Sequence, residues 1–240
     1  MKQDEILGIE YNRTFGAILN YQKLASFLLK KKILEDNDRL IDLACGTGSL
    51  IHEIRNIHKS ISLVGIDIDI EQLKIARKYN SDALFISEDL FTFSIGDYID
   101  SQNWIAHLGF SFINRLTYDE IVKLVHNLTK NKQITCVLTE IWNYEYQLNH
   151  FQYDKWYRTK LPEGFLMTKS DKKDRSDNVI DIDFEFHIND KVQKSSYTMF
   201  RYQTDVIESI FKKAGWNFFE VESSSYRESG ESHNFISIKR

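Results

Sequence analysis

The stretch LIDLACGTGSL, residues 40–50, decides the fold. An apolar run carrying Asp42 reads as a buried strand from Arg39 to Ala44. A loop of small residues follows at once. A helix is then expected from Ser49 to Lys59, with Leu50, Ile51, Ile54 and Ile57 on one side. Gly46 and Gly48 let the backbone come close to a bound group, and the first N–H groups of the helix point outward. Strand, tight loop and helix in that order suit a cofactor.

The rest of the chain extends this unit. SISLVGID is a second buried strand ending at Asp67, IEQLKIARKY a second helix and DALFIS a third strand. NWIAHLGFSF reads as strand four, a helix is expected from Tyr118 to Asn131, and QITCVLTEIW is strand five. Strands alternating with helices imply an α/β, doubly wound, mostly parallel sheet covered on both faces. Upstream, Tyr11, Phe15, Ile18, Ala25 and Leu29 stand at helical spacing over residues 11–32. After strand five the pattern breaks. Residues 143–178 are rich in Tyr, Trp and charge without a clean period. VIDIDFEFHI, 179–188, alternates strictly, with Ile180, Ile182, Phe184, Phe186 and Ile188 on one face. A turn at Asn189-Asp190 and a returning strand make it a hairpin or a bent antiparallel pair. That apolar stripe needs a cover, from the sheet or from a second copy in a homodimer. A helix from Thr204, read as its N-cap, to Gly215 and strands near 217–223 and 233–239 bring the sheet to seven strands.

The organisation follows: a helical segment over 1–37, a core over 38–142, an antiparallel cap insert with its hairpin over 143–201, and a return to the sheet over 202–240. With 240 residues, 42% hydrophobic, the chain can bury a large core. A net charge of −4 argues against a nucleic-acid surface. The segment MKQDEILGIE has no apolar core of a leader, and no run approaches the roughly 20 apolar residues of a membrane span. Cys45 and Cys136 fit no metal spacing and read as reduced thiols of a cytoplasmic protein.

Three ligands compete for Ala44-Cys45-Gly46-Thr47-Gly48. A P-loop requires Gly-Lys-Ser/Thr, and Gly48 is followed by Ser49-Leu50, so that reading fails. A dinucleotide loop would need Ser49 in place of its third glycine. It would also set a pyrophosphate beside Asp42. The third ligand is S-adenosylmethionine, whose cationic methionine end Asp42 can help to hold. Asp67 stands 19 residues beyond Gly48, the position of a ribose-diol ligand for either of the last two.

Here the chain resembles the class I S-adenosylmethionine-dependent methyltransferases, in their small-molecule branch. LIDLACGTGSL is similar to their first motif, acid-x-Gly-x-Gly-x-Gly, with Ala44 replacing the first glycine. LVGIDIDIEQLKIAR resembles the second motif and FISEDLF the third. The likeness covers roughly residues 38–142, and the last two strands loosely. It implies the Rossmann-like sheet, and S-adenosylmethionine as cofactor with S-adenosylhomocysteine as product. It also implies a cofactor site of Asp42, Ala44, Gly46, Gly48, Asp67, Ile68, Asp89 and Leu90, with Glu88 the alternative to Asp89.

Methyl transfer is an in-line displacement that needs alignment and exclusion of water, and no metal. Substrate groups are expected beyond strands four and five. Similar small-molecule enzymes often read Asn-His-Leu after strand four. This chain has Asn114-Arg115-Leu116, so a histidine base is missing and Arg115 is a candidate for a carboxylate or phosphate. Glu140 in TEIWNYEY is a candidate to attract an amine, with Trp142 and Tyr144 near it. Tyr11, in a Tyr-x-x-x-Phe segment, is the aromatic that closes over the site in similar enzymes. The expected activity is transfer to nitrogen or oxygen of a small polar metabolite, with an amine favoured. The rivals are a methyltransferase for protein or RNA, a nicotinamide oxidoreductase, and a non-catalytic cofactor-binding module.

Overall fold

The computed structural model describes residues 20–100, 102–150, 152–161, 164–172, 178–188, 190–221 and 233–240. Tyr11 and the start of the expected N-terminal helix lie outside them. Among the described residues the expected helix is present as α1 (Tyr21–Lys30), which begins where left-handed Asn20 caps it through its side chain and which buries Leu24, Ala25, Phe27 and Leu28. The alternating run follows as β1 (Arg39–Leu43), α2 (Ser49–Ile57), β2 (Ser62–Asp67), α3 (Ile70–Tyr79), β3 (Leu84–Ser87), β4 (Trp104–Leu108), α4 (Tyr118–Lys130) and β5 (Ile134–Trp142). Next come α5 (Tyr144–His150), β6 (Tyr157–Leu161), β7 (Gly164–Lys172), β8 (Val179–Ile188) and β9 (Lys191–Phe200). The chain returns through α6 (Thr204–Lys213), β10 (Asn217–Val221) and β11 (His233–Lys239).

The seven-stranded sheet has the order β10-β11-β5-β4-β1-β2-β3. β1 pairs in parallel with both β2 and β4, so the winding reverses at β1. β11 runs antiparallel to both β5 and β10. One face is packed by α1, α2 and α3 through Leu28, Leu50, Ile54 and Leu73 against Leu138 and Phe235. The other is packed by α4 and α6 through Leu124, Leu128, Ile207 and Phe211 against Val137 and Ile236. The α/β doubly wound fold is therefore as the sequence implies. Asp69 caps α3 as an acceptor for the Glu71 and Gln72 N–H groups. Thr117 and Glu120 form a reciprocal capping box on α4. At the far end of α4, Arg240 donates to the carbonyls of Leu128, Thr129 and Asn131 and lies over Trp216.

Several boundaries differ from the sequence reading. The first strand stops at Leu43, because Ala44 takes a left-handed backbone with φ 56°. Helix α2 stops at Ile57, since His58 is extended. Strand four ends at Leu108, and Phe110 and Ser111 turn through left-handed conformations into a short 3₁₀ turn, Phe112–Arg115. Thr204 is the first residue of α6 and not its cap, a place taken by Gln203.

The cap is a four-stranded antiparallel sheet, β6-β7-β8-β9, in place of the single expected hairpin. Its alternation is the expected one: Ile180, Ile182, Phe184, Phe186 and Ile188 are all buried. They pack with Trp142, Leu161, Leu166 and Met199 of the same chain, so the stripe makes no demand for a second copy. No helix among the described residues is long and apolar enough to cross a membrane.

Candidate cofactor and acceptor site

A cavity of about 370 Å³ opens at the carboxyl edge of the sheet, where the winding reverses. This is the place at which open α/β sheets bind ligands. Asp42, Asp67 and Asp89 bring carboxylates to it from β1, from β2 and from the loop after β3. The loop Ala44–Thr47 forms one wall. Gly109, Phe110, Phe112 and Arg115 form another, and Tyr21 of α1 completes the rim.

The loop geometry explains its composition. Ala44, Gly46 and Gly48 have φ of 56°, 53° and 73°. Left-handed backbone at alternate positions suits glycine, and for alanine costs on the order of 1 kcal/mol. Ala44 therefore occupies its place with some strain and no added bulk beyond a methyl. Asp67 locks the loop: its Oδ2 accepts the Gly46 N–H at 2.7 Å and its Oδ1 accepts the Asp69 N–H at 2.9 Å. Burial lifts the Asp67 pKa above its ordinary value, the two N–H donors oppose that, and Asp69 and Asp42 add to it. Ile68 follows with its side chain 70% exposed, an apolar surface beside the cavity.

Asp42 is 6% exposed and its Oδ1 lies 2.8 Å from Nδ1 of His107, itself 1% exposed. His107 thus serves to fix Asp42, and its ring edge lies against Gly109. Asp89 accepts the Phe91 N–H at 2.8 Å through Oδ1 and lines the cavity with Leu90. Glu88 points elsewhere, accepting the Tyr98 hydroxyl at 2.8 Å, so of the two neighbouring acids Asp89 belongs to the cavity. Burial raises the Cys45 thiol well above its usual pKa, with Asp42 and Asp67 adding to the effect, so the loop cysteine is a packing group. Its sulfur lies 2.7 Å from where a Cβ on Gly65 would stand.

The acceptor-side candidates are placed unevenly. Arg115 is on the cavity rim, its guanidinium 4.4 Å from the centroid of the Tyr197 ring. Glu140 is 1% exposed within β5, opposite Phe235 of β11, and is outside the described lining of the cavity. Trp142 packs in the cap core with Tyr153, and neither it nor Tyr144, the two aromatics expected near Glu140, is in the described lining of the cavity. The aromatic lining comes instead from Tyr21, Phe91, Phe110 and Phe112. Tyr21 and Phe110 meet edge to face at 4.5 Å. No group of three or more metal-ligating side chains is gathered among the described residues.

A doubly wound sheet with acids at the ends of β1 and β2, a third in the loop after β3 and a left-handed loop between sheet and helix defines a Rossmann-like fold with its cavity at the carboxyl edge. Residues 34–157, more than half of the chain, match the family model of a methyltransferase domain, and the chain belongs to that family. Among curated proteins it is similar to a carboxy-S-adenosyl-L-methionine synthase from Nautilia profundicola. That match is 24% identical over 155 residues, covering 62% of this chain and 65% of the relative's length. Among solved structures it resembles an S-adenosylmethionine-dependent methyltransferase from Clostridium acetobutylicum, with a TM-score of 0.75, 18% identity and 95% of each chain covered. An amino pentose methyltransferase from Micromonospora echinaspora, solved with S-adenosylmethionine bound, gives a TM-score of 0.69 at 16% identity over 92% of each chain. These structural likenesses are likenesses of fold, that of the class I S-adenosylmethionine-dependent methyltransferases.

Proposed function

We propose that the chain transfers a methyl group from S-adenosylmethionine to a nitrogen or oxygen of a small polar metabolite, with an amine favoured. The observation that carries this reading is the charge of the cavity. Its described lining holds Asp42, Asp67 and Asp89, with Arg115 as the one base, at the rim. Such a lining suits a ligand with an ammonium, a sulfonium and ribose hydroxyls, and repels a pyrophosphate. The family match supports the same ligand, as does the curated relative, which is named for making a carboxy derivative of S-adenosyl-L-methionine. The amino pentose enzyme of the same fold supports a small amine acceptor.

When bound, S-adenosylmethionine supplies a methyl group activated by its positive sulfur. Asp42, steadied by His107, holds the ammonium end. Asp67 takes the ribose diol, while Asp89 and the Leu90 backbone meet the adenine beside Ile68. Phe110, Phe112 and Tyr21 exclude water around the reacting atoms. Alignment of acceptor, methyl and sulfur then supplies most of the acceleration. An amine acceptor must shed one proton before attack.

Thermal melting tests the ligand. S-adenosylhomocysteine at about 100 times its Kd is expected to add ~2.7 kcal/mol, or about 5–10 °C for a chain of this size. NAD is expected to add nothing. Stabilisation by NAD without S-adenosylhomocysteine would sink the reading.

The raised pKa of Asp67 sets a pH dependence. Ribose hydroxyls donate to the ionised carboxylate, and this carboxyl takes up its proton at a higher pH than a surface aspartate. Affinity for S-adenosylhomocysteine is therefore expected to be full near neutrality and to fall as pH drops through that raised value. Calorimetry across mildly acidic pH measures it, and Asp67→Asn should flatten the slope. A slope kept in Asp67→Asn assigns the titration to another group.

A further inference from the structure

Arg115 ends the 3₁₀ turn that leaves β4, so its backbone belongs to the core. Its guanidinium lies over Tyr197 of the cap strand β9. The side chain therefore bridges core and cap at the rim of the cavity. A guanidinium held over a ring by its charge keeps its N–H donors for other acceptors. None of these donors meets an oxygen of a described residue; the Tyr197 ring is the contact Arg115 makes among them.

The other described arginines are spent differently. Arg39 and Arg55 pair with Asp100 and Asp82. Arg77 and Arg240 donate to backbone carbonyls, and Arg201 donates to the Tyr153 hydroxyl. Arg158 is the useful comparison. Its guanidinium lies 3.8 Å over the Phe165 ring. It stands in register with Met167, on the cap face opposite the buried stripe and away from the cavity. The two side chains share their chemistry and differ in place. The three carboxylates of the cavity are each engaged locally, Asp42 by His107, Asp67 by two N–H groups and Asp89 by the Phe91 N–H. A planar cation with free paired donors is the group that recognises a carboxylate or phosphate in bidentate fashion.

We propose that Arg115, held in place by Tyr197, is the subsite for an anionic group on the methyl acceptor. The acceptor is then a compound that carries a carboxylate or a phosphate beside the nitrogen or oxygen to be methylated. This rests on the methyltransferase reading above. Arg115 serves the acceptor and not the cofactor because it is tied to the cap and not to β1, whose Asp42 is assigned the methionine end. It also gives the chain a reason to carry arginine where a histidine base is common in similar enzymes: it fixes the acceptor and moves no proton.

The test follows the arginine Nε–H resonances of the protein loaded with S-adenosylhomocysteine. Arg115→Lys and Arg158→Lys assign the two signals. Sodium acetate and sodium phosphate are titrated in turn, with sodium chloride holding the ionic strength. The Arg115 signal is expected to shift saturably, at concentrations at least about tenfold lower than any shift of Arg158. Tighter saturation by acetate assigns a carboxylate acceptor, and by phosphate a phosphorylated one. Equal, unsaturated drift of both signals overturns the proposal. So does an Arg115 signal that shifts on loading with S-adenosylhomocysteine and then ignores both anions, since the cofactor's own carboxylate would occupy it. Failure of S-adenosylhomocysteine to bind appears before any anion is added, and overturns the methyltransferase reading together with this one.

Discussion

Asp67→Ala is expected to weaken S-adenosylhomocysteine binding by on the order of 30- to 1000-fold while the protein stays folded. An ionised carboxylate offers about four acceptor positions. Two are taken by the N–H groups of Gly46 and Asp69, at 2.7 and 2.9 Å. Two remain, and Asp67 lines the cavity where the ribose diol is expected. Hydrogen bonds to a charged group are worth roughly 1.5–3 kcal/mol each, and with incomplete additivity two of them give about 2–4 kcal/mol. Alanine also releases Gly46, whose left-handed conformation shapes the loop wall, so part of the loss comes from a less ordered site. The fold should survive, because Asp67 ends its strand and lies outside the apolar clusters. Asp67→Asn keeps the shape and one acceptor oxygen and should fall between parent and alanine variant. Calorimetry on a variant with an unchanged circular dichroism spectrum decides. Unaltered affinity in a folded Asp67→Ala protein removes this residue from the site.

The cofactor half of the cavity is legible in sequence because it is built from strand ends. A buried strand announces itself as an apolar run, and an acid at its last residue or the one before sits near the sheet edge. Asp42 and Asp67 are found that way, and α3 appears residue for residue. The acceptor half is not legible for a physical reason. Phe110 and Phe112 reach the cavity through a turn in which Phe110 and Ser111 have φ of 53° and 55°. That turn carries no glycine at its left-handed positions to give it away. Glu140 is misleading in the opposite sense. The fifth strand ends at Trp142 as expected, and Glu140 stays inside it, paired across from Phe235, where it is covered by the sheet and not presented beyond its edge. In the cap, β8 alternates because one face is buried, whereas four of the five residues of β6 are exposed and leave no period to read.

Asn114 carries the second large effect, and it concerns the join between core and cap. Its side chain is fully buried. Nδ2 donates to the carbonyl of Phe200 at the end of β9, at 2.8 Å. Oδ1 accepts the N–H of Trp142 at the end of β5, at 3.0 Å. One amide thus fastens the turn after β4 to the last residues of two strands in different sheets. Its neighbour Leu116 takes the Tyr202 hydroxyl at 2.7 Å, a second stitch across the same seam. Asn114→Ala leaves a buried N–H and a part-buried C=O without this partner, each costing up to about 1–3 kcal/mol. The sum is expected near 2–4 kcal/mol, a large part of the 5–15 kcal/mol typical of a folded domain. Urea unfolding should show it as a lower midpoint. Tyr202→Phe removes one hydroxyl from the same seam, and the double variant should lose less than the two single losses together. The seam also carries Arg115, the next residue, so a loosened join should raise the acceptor KM far more than it changes S-adenosylhomocysteine affinity. An Asn114→Ala protein that unfolds at the parent's urea concentration would show that the cap is held on by its apolar contacts alone.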